Sequence, residues 1–330
     1  MYKISVVLPT YNRLDRLQKV LSGLEKQDYG TNHFEVVVVS DGSQDGTNEY
    51  LQNAETPLNL SPVIQENQGV AVARNKGYQK AQGEYILFID DDVYPTPNLI
   101  TEHLAMHAEH GEGDVVVVGP MLTPDDFDMA PWVRWEQAML VKQYDSMLNK
   151  EWEATARQFY TGNTSLKRKF LVDAGGFDPS FRRAEDVELA YRLDDMGLKF
   201  IFHFDAVGYH YADRSFNSWM NIASAYGKND VIFTYQRGED WLLPVILKEY
   251  WGRHIFVRAL TQLAIGRPKI VDLITQMLKF LSTLFGAIGL KKGAQFAYSG
   301  IFNLRYFHGI AEELGGRDQF FELAIKEKNN

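Results

Sequence analysis

The sequence contains no cysteine. That removes disulfides, Cys-ligated zinc, iron–sulfur clusters and thiol nucleophiles, and it fits a reducing cytosol. Glycine-rich phosphate cradles are missing too. No G-x-G-x-x-G follows an apolar run, and no G-x-x-x-x-G-K-[ST] occurs. A dinucleotide-binding fingerprint and a P-loop are therefore excluded, and any nucleotide must be held by side chains and a metal. Long apolar runs are scarce. Ile4–Leu8 is far too short for a signal peptide, and the apolar-rich window Met277–Leu290 is broken by Lys279, Ser282 and Thr283. It falls short of the ~20 residues a spanning helix needs, so no membrane crossing is expected. Positive charge is in deficit: 34 Lys+Arg stand against 43 Asp+Glu, which argues against a general nucleic-acid binder.

The deficit is uneven. From Trp241 to Asn330 there are 12 Lys/Arg and 7 Asp/Glu, while the first 240 residues hold 22 and 36. Lys248–Arg305 carries nine basic residues and only Glu249 and Asp272 as acids. An acidic body with a basic tail implies two surfaces that meet different partners. With 330 residues and 45% hydrophobic content, the chain suffices for one large or two medium domains and is no disordered polymer.

Apolar β-branched runs alternate with helical periodicity through the first half. Strands are predicted at Ile4–Leu8, Phe34–Val39, Tyr85–Ile89 and Val115–Val118, with helices at Leu14–Gln27, Thr47–Gln52, Val70–Gln82 and Asn98–His110. Runs such as VVVV, with little polar alternation, suit strands covered on both faces. The expected fold class is α/β, with a mostly parallel sheet between helices. Farther on, Gln158–Lys167 reads as a strand or extended loop, Glu185–Met196 as a helix and Lys199–Phe204 as a strand. After Ser215 the pattern is helical, so the expected division is 1–214 for a catalytic domain and 215–330 for a helical extension. Lys269–Leu290 places Ile270, Ile274, Met277, Leu278, Leu281, Leu284, Phe285 and Ile288 at helical spacing, the mark of an amphipathic helix.

In sheets of this kind, ligands bind beyond the carboxyl ends of the strands. Polar clusters fall at three such ends: Pro9-Thr10-Tyr11-Asn12-Arg13, Ser40-Asp41-Gly42-Ser43 and Asp90-Asp91-Asp92. Three adjacent carboxylates repel one another, and a divalent cation relieves that conflict. Hard oxygen ligands select Mg²⁺ or Mn²⁺, which commonly bridge carboxylates to phosphates. The alternative is a solvated acidic turn leading into the next helix.

Taken together, VVLPTYNR, VVVSDGSQDGT, NQGVAVARNKG, GEYILFIDDDVYP, TGNTSLKRK, GGFD and AEDVELAYRL resemble glycosyltransferase family 2 in content and order. The resemblance covers roughly residues 3–212. It implies a GT-A fold, a nucleotide-diphosphate sugar donor, a divalent metal and inversion at the anomeric carbon. Pro9, Thr10, Tyr11 and Arg13 match the segment that lines the nucleoside, and Asp41 matches the carboxylate that meets the base, most often uracil. Asp41 also suits an Asx-turn in Asp41-Gly42-Ser43, and the two roles are compatible. Arg74 matches a basic residue near the diphosphate. Asp90 and Asp92 match the D-x-D pair, with Asp92 as the direct metal ligand. The extra acid, Asp91, leaves the division of duties among the three open.

Inverting transfer needs a base to take the proton of the attacking hydroxyl. The resemblance assigns Asp186 as base and Glu185 as an acceptor contact, although acids in a first helical turn also suit the helix dipole. His210 matches a histidine that helps hold metal or diphosphate, and Gly162 and Asn163 match a segment near donor sugar and acceptor. Trp132 and Trp135, ahead of a helical stretch, suit either an acceptor-sugar platform or the core. The expected partners are a nucleotide-diphospho-sugar donor, most often a UDP-sugar, and a glycan or lipid-linked glycan acceptor, with no nucleic acid. The segment AYSGIFNLRYFHGIAEELGG resembles tails of bacterial cell-surface-polysaccharide glycosyltransferases. For the tail, peripheral contact with an anionic membrane from the cytoplasmic side stands beside a packed helical cap. Two further readings are a sugar-nucleotide nucleotidyltransferase, for which VVLPTYNR lacks the glycine-rich basic signature, and a non-catalytic glycan- or nucleotide-binding module.

Overall fold

The computed structural model describes residues 2–111 and 113–329. The chain divides into two compact units, one formed by residues up to Met129 together with Gln137–Ala212, the other by Ala130–Glu136 and Asp213 onward.

In the first unit, β1 (Ile4–Thr10), α1 (Leu14–Leu24), β2 (Phe34–Asp41), α2 (Thr47–Asn53), β3 (Asn59–Gln65), α3 (Val70–Lys80) and β4 (Tyr85–Ile89) alternate along the chain. Then come β5 (Val93–Pro95), α4 (Leu99–Glu109), β6 (Val115–Val118), β7 (Met121–Leu122) and α5 (Pro131–Leu148), whose first residues belong to the second unit. A 3-10 turn at Ala156–Gln158 leads to β8 (Asn163–Lys167), α6 (Arg168–Asp173), α7 (Glu185–Asp195), β9 (Lys199–Phe202) and β10 (Gly208–His210).

Seven strands form one sheet in the order β3-β2-β1-β4-β8-β6-β9, and β5-β10-β7 form a small second sheet. The main sheet is parallel except for β8, which runs antiparallel between β4 and β6. Every residue of β1, β2 and β4 is buried, as expected where helices cover both faces. In α1, Leu17, Val20, Leu21 and Leu24 turn inward at helical spacing. Strand β3 escaped the sequence pattern because it is polar and contains Pro62. It lies at the sheet edge, where a missing N–H breaks no second ladder. The switch in strand order lies between β1 and β4, which flanks a crevice with the loops after both strands.

The second unit is helical: α8 (Phe216–Gln236), α9 (Leu242–Gly252), α10 (Ile255–Ala264), α11 (Pro268–Ala287), α12 (Lys291–Glu313) and α13 (Arg317–Asn329). Helices α8 and α12 approach closely through Gly227 and Gly309, where an added Cβ would lie 2.1 Å from the Tyr306 oxygen and 2.2 Å from the Ser224 oxygen. The core includes Trp219, Val271, Ile274, Ile301 and Leu304, and Trp135 joins it with its ring 5.6 Å from that of Trp219. Trp132 and Trp135 therefore sit within the first turns of α5 rather than ahead of it. The indole of Trp132 donates to the Arg214 carbonyl. Helix α11 starts within one residue of the expected Lys269, and its apolar stretch is longer than the Met277–Leu290 window. Among the described residues it alone is long and apolar enough to cross a membrane by length and composition, at 20 residues.

Candidate active site

The loops after β1, β2 and β4 meet through side-chain hydrogen bonds. Pro9, one residue before the end of β1, lies beyond the last pairing with β4 at Val7, so its missing N–H costs no bond on that side. Thr10 donates its hydroxyl to Asp91 at 2.8 Å, and the Arg13 guanidinium reaches Asp91 at 2.8 Å and Asp92 at 3.0 Å. Asn12 takes a left-handed conformation (φ 52°), which asparagine tolerates. Its side chain accepts the Gln44 N–H, and its own N–H donates to Ser43. These bonds fix the first loop against the second and leave Tyr11 exposed.

Asp41, at the end of β2, is buried. One carboxylate oxygen accepts from Gln65 (2.6 Å) and the Gln68 N–H (2.8 Å), and the other from the Gly69 N–H (2.9 Å). The following Gly42 is required twice over: its φ is +81°, and a Cβ there would meet the Asn67 backbone nitrogen at 2.7 Å. Asp41 thus shapes the loop into α3, a wider role than the turn opener read from Asp41-Gly42-Ser43.

The three aspartates after β4 diverge. Asp90 turns to Arg74, which donates to it at 2.9 Å and to Glu185 at 2.6 Å. Asp91 points inward to Thr10 and Arg13. Burial pushes it up to about 6, although Arg13 works against this. Asp92 faces His210, with Oδ1 3.5 Å from Nε2, and Arg13 and Arg16 face its other oxygen. Burial raises the Asp92 carboxyl, but the contact with His210, then the charges of Arg13 and Arg16, outweigh it and hold the group well below the usual carboxylate range.

His210 reaches Asp92 because β10 pairs with β5 in a register that sets His210 opposite Val93. Its Nδ1 is buried with no hydrogen-bond partner. The buried Asp92 carboxylate and the His210 imidazole, whose Nδ1 is unsatisfied, with half-buried Asp90 in the same run, form a donor set that suits Mg²⁺ or Mn²⁺. A separate cluster of Glu102, His203 and Asp205 holds its ligand atoms within 4.8 Å of one another, with Glu102 and His203 already paired at 2.8 Å.

Across the ion pairs of Arg74 lies the start of α7. Ala184, in a left-handed conformation (φ 57°), turns the chain so that Glu185 and Asp186 open the helix. Arg192 secures this turn, donating to Glu188 and to the carbonyls of Ala174 and Gly176. Asn75, beside Arg74, exchanges two 2.8 Å bonds with the Phe177 backbone and so ties α3 to the GGFD segment. Burial, then the charge of Glu185, pushes Asp186 up to about 7, and Arg74 opposes the shift. Burial works against the Arg74 charge, but Asp90 and Glu185 outweigh it and keep the guanidinium protonated.

Gly162 and Asn163 separate in role. A Cβ at Gly162 would lie 2.5 Å from the Met121 sulfur and 3.2 Å from an Asp90 oxygen, so glycine permits the backbone to pass beside Asp90. Asn163 is buried and turned away. Its amide donates to the Pro120 and Ala206 carbonyls, so its oxygen accepts from His103 Nε2 at 2.9 Å. His103 Nδ1 then accepts from Ser165, which accepts from His107. Burial pushes His103 down to about 4 and His107 to about 3, so both rings stay neutral.

Sequence reasoning missed Arg16, which contacts Asp92 (3.5 Å) and the Tyr211 carbonyl (3.2 Å). The signal was present as Arg13-x-x-Arg16, a second cation in the first turn of α1 close behind the one that caps it. The His103–Ser165–Asn163 chain was missed too, and its spacing offered no clue.

A parallel sheet with one inserted antiparallel strand, a strand-order switch between β1 and β4, and carboxylates gathered there define a GT-A nucleotide-sugar transferase fold. The family model described as "Glycosyl transferase family 2" matches residues 5–175, and the chain belongs to that family and is a glycosyltransferase. It is 28% identical over 281 residues to glycosyltransferase AglE of Haloferax volcanii, which covers 84% of this chain and 85% of AglE. Two other curated glycosyltransferases are spanned over only 64% and 52% of their length. The fold is shared with S. aureus TarS 1–349 in complex with UDP, at TM-score 0.57 and 19% identity over 95% of this chain and 92% of that one. It is shared also with the mannosyltransferase PcManGT of Pyrobaculum calidifontis in complex with GDP-Man and Mn2+. There the TM-score is 0.60 at 22% identity, over 91% of this chain and 85% of the other.

Proposed function

We propose that this glycosyltransferase moves a sugar, with inversion and with a divalent metal, from a nucleoside-diphosphate donor to a hydroxyl of a glycan or lipid-linked glycan. The observation that carries the reading is the ion-pair chain Asp90–Arg74–Glu185. It joins the aspartate run after β4 to the helix start that bears Asp186, two motifs about a hundred residues apart.

In this reading the β1 loop and Asp41 receive the nucleoside. UDP is the favoured donor nucleotide because Asp41 matches the family's carboxylate that most often meets uracil; among the neighbours that share the fold, TarS is in complex with UDP or UDP-GlcNAc and PcManGT with GDP-Man. Asp92 and His210, with Asp90 near, hold Mg²⁺ or Mn²⁺. That ion, when bound, supplies positive charge against the leaving diphosphate. Arg74 adds fixed charge on the diphosphate side. Asp186, with its affinity for a proton raised, takes the hydroxyl proton as the acceptor oxygen bonds to the anomeric carbon and the bond to the diphosphate breaks. Glu185 orients the acceptor. Asp91 and Asn163, both turned inward, hold the frame. The enzyme would work on the cytoplasmic side, against an anionic membrane that carries the acceptor.

A thermal-shift screen of nucleotide sugars with and without Mn²⁺ tests the donor and metal together, because a ligand that binds the folded chain raises its melting temperature. The expected result is a shift with UDP or a UDP-sugar that needs the metal. No metal-dependent shift with any nucleotide sugar would overturn the reading.

A further inference from the structure

Helix α11 carries two apolar stripes, and only one is covered. Val271, Ile274 and Leu278 are buried in the helical core, on the side that meets α12. Leu273, Met277, Phe280, Leu284 and Ile288 recur at i, i+4, i+7, i+11 and i+15, which sets them in one row along about 22 Å of helix. All five are exposed, Leu273 at 70%, Phe280 at 68% and Ile288 at 60%. A further exposed aromatic group lies at the start of α10 and on α12: His254 stacks on exposed Phe256 at 5.5 Å and meets exposed Phe296 edge-on at 5.1 Å. A row of five large exposed apolar side chains along one helix marks an interaction site.

Its rim is cationic. Arg267 and Lys269 stand exposed at the start of α11, and Lys291 and Lys292 stand exposed just beyond its end. Lys248–Arg305 has only two acids, and both are engaged: Glu249 lies 3.4 Å from Arg253, and Asp272 lies 2.7 Å from Arg305.

We propose that this face of α11 docks in the plane of an anionic bilayer, with the Leu273–Ile288 row among the acyl chains and the lysines and arginines at the phosphate level. An apolar row flanked by long cationic side chains matches both layers of such a surface. Charge complementarity selects this occupant, since a second copy would bring an identical cationic rim against the first. Docking in the plane, not across it, follows from the inner stripe, which is already spent on the helical core. The proposal rests on the reading that the acceptor is lipid-linked, and it names the surface that brings the enzyme to it.

The test is flotation of the full chain with vesicles of equal parts phosphatidylglycerol and phosphatidylcholine at low salt, against phosphatidylcholine alone. Expected is binding at least ten-fold stronger to the anionic vesicles and reversed by high salt. Leu273→Gln with Phe280→Gln should cut it ten-fold or more, and Lys291→Gln with Lys292→Gln several-fold. Absence of flotation, equal flotation of the Gln variants, or retention through an alkaline carbonate wash would overturn it. So would light scattering that shows a dimer lost in Leu273→Gln/Phe280→Gln without vesicle binding. A Mn²⁺-dependent UDP thermal shift on the same preparations reads the donor site separately. Flotation without that shift supports the surface and removes only the donor reading.

Discussion

Replacing Asp186 by asparagine should make the protein more stable at alkaline pH while disabling it. In the folded chain, burial and the charge of Glu185 raise this carboxyl from its ordinary range to about 7. A carboxyl raised on folding contributes stability that is full below its unfolded value, near 4, and is lost as pH rises through the folded value. Between pH 6 and pH 8.5 the wild type should therefore lose about 1 kcal/mol that the uncharged amide does not lose. The assay is denaturant unfolding of both proteins across that range, without donor or metal. The gap in stability, variant minus wild type, should widen in favour of Asp186→Asn as pH rises. A gap that is flat with pH, or one that favours the wild type more at pH 8.5, would refute the reasoning.

Other perturbations probe the same geometry. Asp92→Ala should remove the Mn²⁺-dependent part of UDP binding in calorimetry while leaving the fold intact; unchanged affinity with Mn²⁺ would cancel the metal assignment. Arg74→Met strips the cation from between Asp90 and Glu185 and should destabilise by about 3–5 kcal/mol in denaturant unfolding, with partial recovery at low pH as the carboxylates take protons. Gly42→Ala forces a side chain into a left-handed turn against Asn67, with an expected cost of about 1–3 kcal/mol and weaker nucleotide binding by thermal shift.

Much of the site was legible because its residues sit at strand ends. Runs like Phe34–Val39 and Tyr85–Ile89 declare buried strands, and the polar residues just beyond them must face the crevice. What the sequence concealed was decided by pairing across distance. His210 meets Asp92 only through the register of β5 against β10, two strands of three residues each that no periodicity reveals. Strand β3, with Pro62 and polar residues, is a strand only because an edge tolerates them. The antiparallel course of β8 depends on its neighbours rather than on Asn163–Lys167 itself. The asparagine of TGNTS looked like a ligand contact, yet two carbonyls and a buried histidine take its side chain. For α11 the spacing gave an amphipathic helix, but its apolar arc is wider than one neighbour can cover. Which part stays open is a property of packing against α12.

The most direct test is to separate donor binding from transfer at Asp186. Wild type and Asp186→Asn would be given a UDP-sugar that shifts melting with Mn²⁺, plus a membrane lipid extract as acceptor, with UDP release followed over time. The variant should bind the donor as tightly as the wild type and release UDP at least a hundred-fold more slowly, the order expected for loss of a general base. Near-normal UDP release by Asp186→Asn would contradict the assignment and place the base elsewhere.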